Sequence, residues 1–228
     1  MENLHAIIRL LHIAAGAGTL FAGAAAIFFN FKEPRWHRLS GDIFKWSMIW
    51  VCLSAIIGFA FDPGRVFFQF LFGIALFTIL NMAKGIRAMQ FMLRRAAPGA
   101  TVDWAIVGIG YFTGLAMIAC GIFHFTEGSN GLVIGILFTA FGLGGLSLGR
   151  GFQKLIVQGT ANSPKFYYHE HIVGMLGAFI ASNTAFLVNT TGEWLHPLVQ
   201  FALPTVVFVP IMMFFTKKLG VRPQDFKG

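Results

Sequence analysis

The stretch LHAIIRLLHIAAGAGTLFAGAAAIFF, Leu4–Phe29, decides the fold class of this chain. It exceeds the roughly 20 mostly apolar residues that a helix needs to cross a bilayer. It also carries His5, Arg9 and His12, polar groups that a helix surrounded by lipid holds only at a cost. Both features have to be explained together.

The rest of the chain sets the context. Charged residues make up 11% of the 228, against roughly 25% in ordinary globular domains. Hydrophobic residues reach 56%, with 27 phenylalanines and a mean hydropathy of +0.71. A soluble fold of this composition would leave too much apolar surface in water. The net charge of +8 would suggest nucleic acid if it formed a patch on a soluble domain. Here the basic residues fall between apolar runs, so no nucleic-acid partner is expected. Cys52 and Cys120 each lie inside an apolar run and form no CxxC motif, so they read as buried thiols. The chain begins MENLH, with no Lys or Arg before Arg9. The first apolar run therefore reads as a retained span rather than a signal peptide.

Seven runs meet the length test: Leu4–Phe29, Asp42–Phe61, Val66–Ala88, Val102–Phe125, Gly131–Gly149, His169–Thr190 and Trp194–Thr216. Breakers such as DPGR, RRAAPGAT and ANSPK separate them. The third helix is expected to run on to Arg95. The expectation is an all-α bundle of seven transmembrane helices, forming one domain over residues 1–228. Of the 17 Lys and Arg residues, all but Arg9 and Arg65 fall at one end of the spans. The positive-inside bias makes that end cytoplasmic, with the N-terminus outside and the C-terminus inside. A multi-pass protein of the inner (plasma) membrane is expected, with membrane lipids as partners and a second copy or a membrane-complex subunit as a further partner.

At about 100° per residue, Glu2, His5, Arg9 and His12 share one face, which continues into Thr19 and Gly23. That stripe is expected to face the bundle as an outer polar cavity, with Asp62 the best partner for Arg9. His124, Glu127, Glu193 and His196 are expected at the same end. A second group gathers at the basic end: His37 before span two, and His169 and His171 before span six. Helical residues two apart point about 200° from each other. Of His169 and His171, the latter is the inward candidate, because Gly174, Met175 and Ala178 continue its face. Asn81 and Asn183 are expected to bond between helices. Lys84 and Arg87 are expected to meet lipid phosphates at the inner interface.

LHIAAG in span one, HRLSG before span two and HIVGMLGAFIASNTAFLV in span six resemble a family of bacterial multi-pass membrane proteins of unknown function. That family shows a His followed by Gly in its first helix, His-Arg-x-x-Gly before the second and His-x-x-x-Met in a later one. His12, His37, Arg38, Gly41, His171 and Met175 match those positions. Phe44 stands where the family commonly has a hydroxyl-bearing aromatic, and the usual Arg after the Met is missing. The resemblance implies a membrane fold and no particular activity.

Three functions compete at this point. One is a transporter-like, lipid-binding, small-molecule-binding or assembly protein with a polar His/Arg cavity. Another is a membrane electron-transfer protein that holds b-type haem between histidines on neighbouring helices. The last is an intramembrane hydrolase that uses a divalent metal. Arg9, His12, His37 and His171 are the candidate cofactor-binding residues. No catalytic residue and no complete metal-ligand set is assigned.

Overall fold

The computed structural model of the chain describes residues 2–30, 32–126, 129–158 and 163–220. The described residues form seven long helices: α1 Glu2–Phe29, α2 Pro34–Phe61, α3 Val66–Met92, α4 Thr101–Phe125, α5 Ser129–Gln158, α6 Pro164–Thr190 and α7 Pro197–Lys218. A short 3₁₀ turn, Gly192–Trp194, precedes α7. Each long helix contains a segment of sufficient length and hydropathy to cross a bilayer. No strand occurs among the described residues.

Helix starts follow local chemistry. Pro34, Pro164 and Pro197 open α2, α6 and α7, where a missing N–H costs nothing and a fixed φ is already helical. For this reason α2 starts at Pro34 rather than Asp42, and α6 at Pro164 rather than His169. His37, His169 and His171 are therefore helical residues with fixed directions. The third helix ends at Met92, short of the expected Arg95, and Arg94 takes φ +53° in the turn that follows.

Three helix pairs dominate the packing: α4 with α5, α3 with α6, and α1 with α2. In the first, α4 lies along α5 with Gly110, Gly114 and Gly121 facing Gly135, Gly142, Gly145 and Gly149. Small residues let the backbones approach, which supplies the association that lipid does not drive. In the second, α3 lies along α6. A methyl group added at Gly174 would sit 2.6 Å from the Asn81 carbonyl oxygen and 2.7 Å from the Gly85 nitrogen. Around this central pair, α3 also meets α2, α4 and α5, while α6 also meets α1 and α7. The α1–α2 hairpin thus closes against α3 and α6.

Two expectations about polar residues fail in the structure. Asn81 and Asn183 donate to Phe77 O and Phe179 O in their own helices, so they satisfy themselves one turn back instead of bonding between helices. Lys84 and Arg87 do not stand free for lipid phosphates. Lys84 is buried against Glu170, whose other oxygen contacts His169 Nδ1 at 3.1 Å. Arg87 grips Asp103 with Nε–Oδ1 at 2.7 Å and Nη2–Oδ2 at 2.8 Å. Asp103 is fully buried and also accepts from the Gly99 and Ala100 amides at the start of α4. A buried charge needs a paired, hydrogen-bonded partner, and both cations have one on an adjoining helix.

Candidate histidine cavity

His37 lies in the first turn of α2 and His171 in the second turn of α6, separated by more than a hundred residues of chain. The structure brings their rings to 6.5 Å between centroids, at 76° to each other. Each ring is oriented by a carbonyl on a third element. His37 Nδ1 donates to Ala26 O in the last turn of α1 at 2.9 Å. His171 Nδ1 donates to Gly85 O in α3 at 3.0 Å. A carbonyl oxygen only accepts, so Nδ1 carries the hydrogen in both rings. In the neutral imidazole the lone pair then lies on Nε2. An Nδ1–H···O=C bond of this kind orients metal-ligating histidines.

Both rings line one cavity of about 450 Å³, within the range of small-molecule sites. Its wall is apolar where Ile86, Phe44, Met175, Phe179 and Phe215 face it. Its mouth, at the basic end, is formed by Asn30, Arg38, Asp42, Lys45, Gln90 and Arg95. Lys45 is already paired with Asp42 at 2.7 Å. Arg38 and Arg95 are exposed, and Arg38 spends one donor on Pro34 O at 3.2 Å. Gly41 follows His37 by one turn, and a Cβ there would meet nothing within 4 Å. The cavity therefore extends directly beside the His37 imidazole.

The other two candidate residues lie elsewhere. His12 is half-buried, with Nδ1 2.7 Å from Ser54 Oγ. It lines a separate cavity of about 80 Å³ with Cys52, Thr78, Ser182 and Asn189. Arg9 is exposed on α1 and lines neither cavity. The polar stripe therefore turns inward at His12 but not at Arg9. Among the described residues no ion pair joins Arg9 to Asp62. Glu127 and the side chains of Glu2, His5 and Glu193 lie outside the described residues. His124 is buried against Phe138, and His196 caps α7 by accepting from the Leu198 amide.

Sequence reasoning did not single out Asn30, Gln90 or Arg95 as site residues, nor Ser54 as the partner of His12. Asn30 follows α1 while Gln90 and Arg95 lie at or just beyond the end of α3, the same basic end as His37. Depth along each helix was the available signal. Among the described residues no group of three or more His, Cys, Asp and Glu side chains is placed to hold a metal ion. Zinc-type hydrolytic sites use three protein ligands, and Glu170, the acid nearest His171 in sequence, is engaged by Lys84 and His169.

Seven apolar helices define a multi-pass membrane protein, and the half-buried His37 and His171 line a cavity among α1, α2, α3, α6 and α7. No family model, curated protein or solved structure matches the chain.

Proposed function

We infer that the protein binds an amphipathic small molecule in the His37–His171 cavity, with the ligand's apolar body inside and its anionic group at the mouth. The observation that carries this reading is the composition of the cavity. Its floor combines aromatic and aliphatic side chains with two imidazole acceptors, beneath exposed Arg38 and Arg95. Binding sites commonly place a few fixed polar groups on an apolar wall in this way. Arginine pairs readily with carboxylate and phosphate. The charge asymmetry supports a cytoplasmic mouth and residence in the inner membrane. His37, Arg38, Gly41, His171 and Met175 all line or border this cavity. That supports kinship with the bacterial family whose His-Arg-x-x-Gly and His-x-x-x-Met motifs they match.

The test is titration of the detergent-solubilised protein with a fluorescent anionic amphiphile, alongside Gly41→Trp. An indole at residue 41 fills the open space beside His37. It should weaken binding by about tenfold or more, since it removes the volume that the ligand needs. Equal affinity in the two proteins would exclude this cavity as the binding site. A second reading, b-type haem, is favoured by one specific distance, the separation of the two imidazoles.

A further inference from the structure

We propose that the cavity ligand is an iron porphyrin whose iron takes His37 and His171 as its two axial ligands. This rests on the cavity reading above and names the ligand's chemical class.

An imidazole nitrogen binds a metal at about 2 Å and lies about 1.1 Å from its own ring centroid, so two rings on opposite sides of one ion stand about 6.2 Å apart. The observed separation is 6.5 Å. A tetrahedral ion would draw the two rings to about 5 Å and would need further ligands. Among the described residues no such ligands are clustered there. The observed spacing matches that of two rings on one centre, and the carbonyl bonds at Nδ1 leave Nε2 as the nitrogen each ring offers. A linear pair leaves the plane between the rings for ligands that the protein does not provide, and a porphyrin brings four nitrogens to that plane.

The surroundings fit the same group. Both rings have Nδ1 fixed to a backbone carbonyl, which sets the tautomer and holds the ring direction. The ligating side chains come from α2 and α6, and their orienting carbonyls from α1 and α3. Four helices thus build the pair, as cofactor sites in bundles are built. Gly41 leaves open space beside the His37 ring, and Phe44, Met175 and Phe179 give the cavity an apolar wall. Arg38 and Arg95 at the mouth supply two cations for the two carboxylates that a protoporphyrin carries.

The experiment is a titration of the full-length protein in detergent with hemin, followed by absorbance and electron paramagnetic resonance. Metal-free protoporphyrin and the fluorescent anionic amphiphile serve as parallel probes. The expected result is saturable hemin binding with a six-coordinate, low-spin spectrum. His37→Ala and His171→Ala should each convert that spectrum to a five-coordinate, high-spin one. Each should also weaken hemin binding at least about tenfold, because even the outer partners of metal ligands are worth that much. Added imidazole should restore the low-spin form in each variant, which a variant that had merely unfolded would not do.

Metal-free protoporphyrin should bind more weakly than hemin and should be indifferent to both substitutions. A wild-type protein that binds no hemin, or binds it only in a high-spin form, overturns the proposal without reference to any variant. So does a low-spin form that survives both substitutions. If hemin fails while the amphiphile binds and Gly41→Trp abolishes that binding, the porphyrin is wrong and the cavity reading stands. A water hydrogen-bonded to both rings then accounts for their separation. If no probe binds, both readings fall.

Discussion

Replacing Gly174 by Ala tests whether the α3–α6 contact builds the site. The new methyl would stand 2.6 Å from Asn81 O, 2.7 Å from Gly85 N and 2.9 Å from Gly85 Cα. All three are backbone atoms of α3, so no flexible side chain can turn away. The helices must part by roughly 0.5 Å to restore ordinary contact, in an interior that has little slack. Overpacking of this kind costs about 1–3 kcal/mol. The same movement lengthens the bond from His171 Nδ1 to Gly85 O, now 3.0 Å, towards the limit of a hydrogen bond, at about 1 kcal/mol.

The combined expectation is about 2–4 kcal/mol of lost stability, with His171 less firmly oriented. Gly16→Ala is the control, because a Cβ there meets nothing within 4 Å. That substitution should be neutral or stabilise by up to about 1 kcal/mol through helix propensity. Tryptophan fluorescence during equilibrium unfolding in mixed detergent micelles reports both. A Gly174→Ala protein as stable as the wild type would refute the close approach of α3 and α6.

Asp103→Ala leaves the Arg87 guanidinium without its carboxylate partner, with only Gln90 Oε1 still accepting from it, and should cost about 3–5 kcal/mol. Arg87→Met combined with Asp103→Leu should recover part of that loss in the same unfolding assay. Glu170→Ala should destabilise by a similar amount, because Lys84 is buried beside it, and Lys84→Met in the same chain should relieve it. Ser54→Ala removes the hydrogen-bond partner of His12 Nδ1 and should cost about 1 kcal/mol, with hemin and amphiphile titrations unchanged because that cavity is separate. A reporter active only in the periplasm, fused to the C-terminus, should stay silent; a strong signal would reverse the proposed orientation.

The seven helices were legible because lipid imposes a simple rule: each span must be long, apolar and internally hydrogen-bonded. The starts of α2 and α6 were less so. The polar runs PRWHRLSG and PKFYYHEH lack an apolar signature, yet proline at the first helical position extends both helices towards the basic end. The pairing of His37 with His171 was legible in outline, since both sit at equal depth and each is followed by a glycine. Their separation was not, because it depends on how closely α3 and α6 pack at Gly85 and Gly174. Arg9 failed as a bundle-facing residue because helical periodicity fixes which residues share a face but not where the neighbouring helices lie. Lys84 and Arg87 were read from their position near the membrane edge. Their acids, Glu170 and Asp103, lie on other helices, and spacing in one sequence does not reveal such partners.

The central claim is that His37 and His171 share one cavity, and thiol bridging measures this most directly. In a Cys52→Ala, Cys120→Ala background, H37C and H171C would be treated in native membranes with a short bifunctional thiol reagent that fluoresces only when both ends react. With rings 6.5 Å apart in the present structure, the double variant should become fluorescent, and each single variant should remain dark. A double variant that stays dark, while a monofunctional reagent labels both cysteines, would show that the two positions do not meet.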